Sequence, residues 1–366
     1  MKKIIYFDNA ATTALHTDVL SSMTPYFCDE FANPAGAYKS ARVSENAINR
    51  ASGGSESDNW AIKSFSRSIR KKRMGASCHI ITTSIEHNAV LNSCRTLESE
   101  GFTVTYLPCD KYGFIHPETL QAAIRDDTIL ISVMAANNEV GSIQPLKAIG
   151  QIARRHQIVF HTDAVQAYGH IPINVNECMI DMLSMSAHKL HGPKGVGFLY
   201  IRNGLELPSY IDGGSQENGH RAGTSNVPGI VGLGKACEIA ARNMQKNINS
   251  MTRLRNRLIY QIRQGLPNAV LTGSEQMRLP NNVSFCFPGV ESAQLLSILD
   301  SHGICASAGS ACSTGAAGPS HVLIAMGIDY NLAGGSLRLT LSGENTMQEV
   351  DFVAETVIKA VKRLSI

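Results

Sequence analysis

The sequence lacks a long apolar run, a disulfide framework and a strong excess of charge. No apolar stretch approaches the roughly 20 residues of a membrane span, and the stretch after Lys2 and Lys3 ends at Phe7, too early for a signal-peptide core. Lys and Arg number 33 against 30 Asp and Glu, which argues against a protein that binds nucleic acid by neutralising phosphates. The nine cysteines are scattered without a CxxC pair, so we expect reduced thiols, no metal site and a cytoplasmic protein.

The sequence does contain enough apolar residues for a large folded core. Of its 366 residues, 43% are hydrophobic and 17% are charged, which excludes a disordered chain. At roughly 150 residues per domain, this length predicts about two domains. Composition therefore favours a two-domain globular protein, most compatible with an enzyme.

Short apolar runs alternate with helical patterns between about residues 79 and 201. This alternation predicts an α/β domain with a mostly parallel sheet and helices on both faces. Strands are predicted at 79–83, 102–107, 128–134, 158–161, 182–185 and 197–201, and helices at 88–100, 117–125 and 145–156.

The pattern changes at residue 229, after which apolar residues recur every three or four positions as far as residue 264. This spacing predicts one long amphipathic helix. Beyond it, strands are predicted at 282–287 and 336–341 and helices at 291–302 and 346–363. We therefore predict a large α/β domain over residues 14–245 and a small α+β domain formed by 1–13 and 246–366.

A glycine-rich cluster, SGGSESDN at residues 52–59, runs directly into a helical segment at 60–70. Its glycines allow close backbone approach, Ser55 could cap the helix, and the free N–H groups of a helix start suit a phosphate. An ordinary capped turn is the alternative.

Further along, Asp163 follows a buried strand, where it needs either a cationic partner such as a protonated pyridine nitrogen or a structural role as a helix cap.

Lys189 lies between a strand end and a loop rich in glycine and proline. Desolvation there would lower its pKa and free its amine for a Schiff base. Lys194 in the same loop offers the same chemistry, and either residue could be an ordinary solvated lysine. Ser186 and His188 are near enough in sequence to Lys189 to bind a phosphate beside it.

Cys312 stands in the run GSACSTG at residues 309–315, where small residues suit a thiol presented on a movable loop. Cys94, Cys237 and Cys286 are instead expected to be buried and inert. Two further residues have open alternatives: Arg338 pairs with a substrate carboxylate or lies on the surface, and His87 stacks on a flat cofactor ring or caps a helix.

Together these segments closely resemble the cysteine desulfurases, pyridoxal-phosphate enzymes of the class V aminotransferase family with fold type I. The GSAC context resembles the group I, NifS/IscS-like branch. The matching motifs run in order over nearly the whole chain: YFDNAATT at 6–13, SGGSESDN at 52–59, EHNAV at 86–90, NNEVG at 137–141, DAVQA at 163–167, SAHKLHGPKGVG at 186–197, GGSQE at 213–217, RAGT at 221–224, GSACSTG at 309–315 and PSHVL at 319–323.

The resemblance implies a large domain built on a mostly parallel, seven-stranded type of sheet that binds pyridoxal 5'-phosphate. By the same resemblance, Lys189 would bind this cofactor as a Schiff base and Asp163 would pair with its pyridine nitrogen. His87 would stack on the ring, and Gln166 would contact the phenolic oxygen.

The resemblance also implies residues for the phosphate and for the substrate carboxylate. Ser55, Ser186 and His188 would hold the phosphate, with Thr224 reaching it from the other subunit of a homodimer. Asn138 and Arg338 would hold the carboxylate of L-cysteine.

The implied reaction removes sulfur from L-cysteine to give L-alanine and a persulfide on Cys312. The sulfur would pass to an acceptor protein such as an iron–sulfur scaffold, with no nucleic acid or membrane involved. The end of the chain soon after its last predicted helix favours, by the same resemblance, a nitrogenase-type or dedicated desulfurase.

One departure from the family pattern precedes the SGGSESDN motif. The family has a helix, a loop and a core strand there, whereas a helical pattern at 35–50 here meets residue 51 with no apolar strand between. Two alternatives to a cysteine desulfurase stay open: a selenocysteine lyase or other class V enzyme on the same scaffold and, because this strand is missing, a cofactor-poor, inactive variant.

Overall fold

The computed structural model describes residues 4–30, 53–309 and 318–365. Its centre is a six-stranded sheet with the order β3-β2-β4-β5-β6-β7. Neighbouring strands from β3 to β6 run parallel, and β7 is antiparallel to β6. The strands are β2 His79–Thr83, β3 Thr103–Leu107, β4 Thr128–Ser132, β5 Val159–Asp163, β6 Met182–Ser186 and β7 Gly197–Ile201.

Strands β2, β4 and β6 are buried along their whole length, which is typical of a parallel sheet covered on both faces. The helices between them carry apolar residues on one side and pack that side on the sheet. The α-helices of all the described residues are, in chain order, α1 Thr17–Met23, α2 Pro25–Cys28, α3 Gly54–Asn59, α4 Phe65–Lys72, α5 Asn88–Ser99, α6 Pro117–Ala123, α7 Leu146–Arg155, α8 Val227–Gly265, α9 Ser292–Ser301, α10 His321–Ala325, α11 Tyr330–Gly334 and α12 Met347–Leu364.

The central sheet has one strand fewer, within the described residues, than the seven-stranded type that the resemblance implies. There β7 forms an edge, paired with β6 on one side. The predicted helix at 35–50 and the predicted absence of a strand before the glycine-rich cluster concern residues outside the described ones. The mainly parallel α/β architecture itself is confirmed.

A second, smaller sheet has the antiparallel order β11-β9-β8, formed by Ser336–Thr340, Asn282–Cys286 and Val270–Leu271. The N-terminal strand β1, Ile5–Tyr6, pairs in parallel with β10, Ile304–Cys305. This pairing places the first described residues beside the smaller sheet's region of the fold. These elements surround their own apolar core, which includes Phe7, Phe285 and Leu339.

Helix α8 contributes to both cores. Leu233 and Ala236 near its start pack in the core of the large sheet, while Leu254 and Leu258 further along pack in the smaller core. The division into a domain over 14–245 and one formed by 1–13 and 246–366 stays a prediction. None of the described helices has the length and apolar character needed to cross a membrane.

Candidate active site

A cavity of about 340 Å³ opens at the carboxyl ends of β4, β5 and β6. Parallel strands end at the same edge of a sheet, so the loops that follow them converge there. Nine residues predicted for the site line this cavity: Ser55, His87, Asn138, Asp163, Gln166, Ser186, His188, Lys189 and Arg338.

Lys189 ends a short 3-10 turn that follows β6, and its side chain extends into the cavity. Its Nζ atom donates hydrogen bonds to the carbonyl oxygens of Ala10 at 2.5 Å and Ala11 at 2.7 Å. Lys194, the competing candidate, is exposed and does not line the cavity. The geometry therefore selects Lys189 as the amine that a carbonyl ligand in the cavity can reach.

Asp163 is the last residue of β5 and is 6% exposed. Its Oδ1 accepts a hydrogen bond from the backbone N–H of Val165 at 2.9 Å. The alternative that Asp163 caps a helix is wrong, because a turn and not a helix follows β5. Burial raises the pKa of Asp163, and the nearby His87 and Lys189 act in the opposite direction. A cation bound in the cavity would stabilise this carboxylate further.

His87 both caps a helix and lines the cavity. Its Nδ1 accepts a hydrogen bond from the backbone N–H of Ala89 at 3.1 Å at the start of α5. The capping alternative for His87 is thus confirmed, and it fixes the plane of the imidazole beside Asp163 and Lys189. Capping the helix therefore does not exclude stacking on a cofactor ring, the other role predicted for His87.

The helix start beside the cavity differs from the prediction in one respect. The N-cap residue is Gly53, which has no side chain to cap with, and Ser55 lies inside the first turn. The prediction that Ser55 caps the helix is therefore wrong, because the helix begins at Gly54. A Cβ atom on Gly54 would come within 2.9 Å of Val165 Cγ2 and 3.3 Å of Ser186 Cβ, so glycine permits this close packing.

His188 also lines the cavity. Its Nδ1 and the Thr12 hydroxyl are 3.1 Å apart. Burial, followed by the charges of Lys189 and Lys194, lowers the pKa of His188 to about 4, so the ring is neutral near pH 7. A neutral imidazole can still donate one hydrogen bond to an anion.

Arg338 also lines the cavity; it stands in the middle of β11 and is 2% exposed. The surface alternative for Arg338 is therefore wrong, because the small sheet buries it against the N-terminal segment. Its Nη1 donates to the carbonyl oxygen of Asn138 at 3.1 Å, and its Nη2 pairs with Oδ1 of Asp8 at 2.9 Å. A buried guanidinium of this kind suits a carboxylate ligand.

Buried carboxyl groups near the cavity had no role in the sequence interpretation. Asp58, which lines the cavity, is 1% exposed, and burial together with the charge of Asp163 raises its pKa well above the usual range. Burial likewise raises the pKa of Glu86 to about 8. Asp58 follows Gly54 by four residues, one helical turn, and this spacing is the signal that could have placed it on the cavity side.

Two predicted site residues are not brought to the cavity by the described part of this chain. Thr224 is exposed and does not line it, so its role from a second subunit stays a prediction. Cys312 lies outside the described residues. Gln166 lines the cavity, but its Nε2 donates to the carbonyl oxygen of Ala10 at 2.9 Å.

The described cysteines mostly behave as expected. Cys94 and Cys286 are buried, and burial raises the pKa of each to about 12. Cys237 is half-buried, so the expectation of full burial is wrong for this residue, which lies at the rim of the large core. Within 4–30, 53–309 and 318–365, no group of three His, Cys, Asp or Glu side chains could hold a metal ion.

Comparison with known proteins gives one consistent family. The model of the family "Aminotransferase class-V" matches residues 5–353. The chain is 48% identical to "Cysteine desulfurase IscS" of Methanosarcina thermophila over 380 residues, which covers 99% of this chain and 93% of that protein. That stretch is longer than the chain's own 366 residues, so the relative carries residues that this chain lacks.

Solved structures agree with the sequence matches. A protein described as "NIFS-LIKE PROTEIN" superposes with a TM-score of 0.91 at 35% identity, covering 99% of this chain and 100% of that one. A second, "SspA in complex with cysteine", has a TM-score of 0.80 at 36% identity, covering 94% and 100%. These matches do not favour a selenocysteine lyase or a cofactor-poor variant. The chain belongs to the class V aminotransferase family and, within it, to the NifS/IscS-like cysteine desulfurases.

Proposed function

We propose that this cysteine desulfurase works with pyridoxal 5'-phosphate bound at Lys189 and collects the sulfur of L-cysteine on Cys312. The observation that carries the proposal is one cavity that Lys189, Asp163 and His87 line together with the buried Arg338. An amine, a carboxylate, a flat ring and a guanidinium are the groups that a pyridoxal cofactor and an amino-acid substrate require.

The residues present fit the cofactor. Asp163 is a buried carboxyl group that a protonated pyridine nitrogen would stabilise, and Gly54 lets the start of α3 pack closely against Val165 and Ser186 beside it. The N–H groups at the start of α3, with Ser55, Ser186 and His188, would hold the phosphate. When bound, pyridoxal phosphate supplies an electron sink next to the substrate Cα.

The chain's own residues then position the substrate and move its proton. Arg338 and Asn138 hold the carboxylate of L-cysteine, which orients the Cα–H bond toward the amine of Lys189. Lys189 takes the Cα proton and later returns a proton to the product. The carbonyl oxygens of Ala10 and Ala11 accept hydrogen bonds from this amine and keep it inside the cavity.

The sulfur step belongs to Cys312. Its thiolate attacks the substrate sulfur, an S–S bond forms, and the Cβ–S bond breaks with its electron pair left on the carbon skeleton. That skeleton takes up a proton at Cβ and leaves as L-alanine, so the sum is cysteine plus thiol giving alanine plus persulfide.

Both flanks of the Cys312 segment are tied to residues beside the cavity. Ser307 exchanges two backbone hydrogen bonds with Arg338, and after the segment Ser320 donates its hydroxyl to the carboxylate of Glu139, next to Asn138. This placement supports a thiol working at the cavity. The persulfide sulfur would pass to an acceptor protein such as an iron–sulfur scaffold, and the working form would be a homodimer in which Thr224 of one copy reaches the phosphate of the other.

The test compares wild type, Lys189→Ala and Lys194→Ala, the last as the matched lysine control. Each protein is purified with pyridoxal phosphate, its visible absorbance is recorded, and alanine formed from L-cysteine is quantified. Wild type and Lys194→Ala are expected to be yellow and active, and Lys189→Ala to lose both properties. A wild type without bound cofactor, or full activity in Lys189→Ala, would contradict the proposal.

A further inference from the structure

Asp8 takes no part in the proposed reaction, although its carboxylate touches the buried guanidinium of Arg338. Oδ1 of Asp8 accepts a hydrogen bond from Arg338 Nη2 at 2.9 Å, and Oδ2 accepts one from the Ser307 hydroxyl at 2.8 Å. The Arg338 side chain is 2% exposed and that of Asp8 is 16% exposed. This is an ion pair largely removed from water, so its geometry is constrained more than that of a surface pair.

The position of Asp8 is set by the same strand that carries Arg338. Thr340 of β11 donates its backbone N–H to the carbonyl oxygen of Phe7 at 2.7 Å. On the other side of Asp8, the backbone N–H of Ala10 donates to the Thr340 hydroxyl at 2.8 Å. The Asp8 backbone is therefore fixed beside β11, and its carboxylate has a defined place relative to the guanidinium.

Two of the three guanidinium nitrogens of Arg338 are held in this way. Nη2 is held by Asp8 and Nη1 by the carbonyl oxygen of Asn138 at 3.1 Å. Nε is buried and, among the described residues, has no hydrogen-bond partner. Because the guanidinium is planar, holding two of its nitrogens fixes the direction of the third.

We propose that Asp8 is a positioning residue for substrate binding: together with Asn138 it fixes the plane and direction of the Arg338 guanidinium, so that this group meets the carboxylate of the incoming amino acid. The inference rests on the proposed role of Arg338 as the carboxylate-binding residue. Without Asp8, the guanidinium can rotate toward other acceptors and loses that orientation.

The test replaces Asp8 and measures binding apart from chemistry. Asp8→Ala is expected to raise KM for L-cysteine about tenfold or more, while kcat stays within about threefold of wild type. The dissociation constant for L-alanine, measured by calorimetry on the holoenzyme, should rise in parallel. This second readout reports carboxylate binding without turnover.

A double-mutant cycle separates action through Arg338 from any other effect of Asp8. Arg338→Ala should raise KM, and Asp8→Ala combined with Arg338→Ala should raise it no further. Asp351→Ala is the matched control, because Asp351 pairs with Arg257 at the same 2.9 Å on the surface. It should leave KM unchanged.

Asp8→Glu covers the case in which Asp8→Ala fails to fold. It keeps a negative charge beside the guanidinium, but its extra methylene group displaces the carboxylate, so a raised KM is expected here as well. A wild-type KM in Asp8→Ala, or in Asp8→Glu if the former does not fold, overturns the inference when Arg338→Ala still raises KM. Additive effects in the double variant also overturn it. If Arg338→Ala itself leaves KM unchanged, the proposed role of Arg338 fails, and the inference fails with it.

Discussion

Glu86 is a buried carboxyl group whose ionisation opposes folding. Its Oε1 accepts hydrogen bonds from the Thr83 hydroxyl at 2.8 Å and from the backbone N–H of Met134 at 2.9 Å. Its Oε2 is buried and, in the part of the chain that the structure describes, has no hydrogen-bond partner. Burial raises the pKa of Glu86 from 4.5 to about 8.

The sign of the pH dependence follows from these two values. The folded protein keeps the Glu86 proton up to about pH 8, whereas the unfolded chain loses it near pH 4.5. The stability from this group is therefore fully present below pH 4.5 and is lost as the pH rises through 8. Between these values the free energy of unfolding falls by about 1.4 kcal/mol per pH unit, at most about 5 kcal/mol in all.

Glu86→Gln removes this ionisation and keeps an oxygen to accept from Thr83 and Met134. Urea unfolding of wild type and variant holoenzymes, each at saturating pyridoxal phosphate, is measured between about pH 5 and pH 8. The free energy of unfolding of wild type minus that of Glu86→Gln is expected to fall by about 1.4 kcal/mol per pH unit and then to become negative. Glu355→Gln, a surface change, serves as the control. A difference between wild type and Glu86→Gln that does not vary with pH would refute the reasoning.

Two further predictions concern the phosphate end of the cavity and the last helix. Gly54→Ala places a methyl group within 2.9 Å of Val165 Cγ2, so the dissociation constant for pyridoxal phosphate, from absorbance titration, should rise about tenfold; an unchanged constant would contradict this. Thr346→Ala removes a capping box with Glu349 and should lower the free energy of unfolding by about 1 kcal/mol in urea, with turnover unaffected. Equal stability would show that this cap contributes nothing.

The elements of the fold are largely predictable from the sequence because each is determined by local patterning. The strand at 79–83 and the strand at 197–201 coincide with the predicted bounds, and the long helix predicted at 229–264 is observed as Val227–Gly265. Runs of apolar residues and a three-to-four spacing are sufficient for this. The start of α3 is less predictable, since the position of a cap depends on where the preceding chain enters, and the observed cap, Gly53, lies two residues before Ser55.

The sequence predicts which residues belong to the site, but it does not predict the contacts between distant parts of the chain. The convergence of seven of the nine follows from the rule that parallel strands end at one edge, whereas Ser55 lies on α3 and Arg338 on the antiparallel strand β11. The contact between Asp8 and Arg338 joins residues 330 positions apart, and such pairings have no local signature. The hydrogen bonds from Lys189 to Ala10 and Ala11 use backbone oxygens, which no side-chain motif reveals.

The central claim is that sulfur moves from L-cysteine to Cys312, and mass spectrometry after a single turnover tests it most directly. Holoenzyme is mixed with one equivalent of L-cysteine without reductant, digested, and compared with Cys312→Ser and with the control Cys305→Ser, a half-buried cysteine that the account gives no role. One extra sulfur atom is expected on the Cys312 peptide in wild type and Cys305→Ser, with alanine in equal amount, and none in Cys312→Ser. Sulfur found on another cysteine, or alanine released by Cys312→Ser at the wild-type rate, would contradict the account.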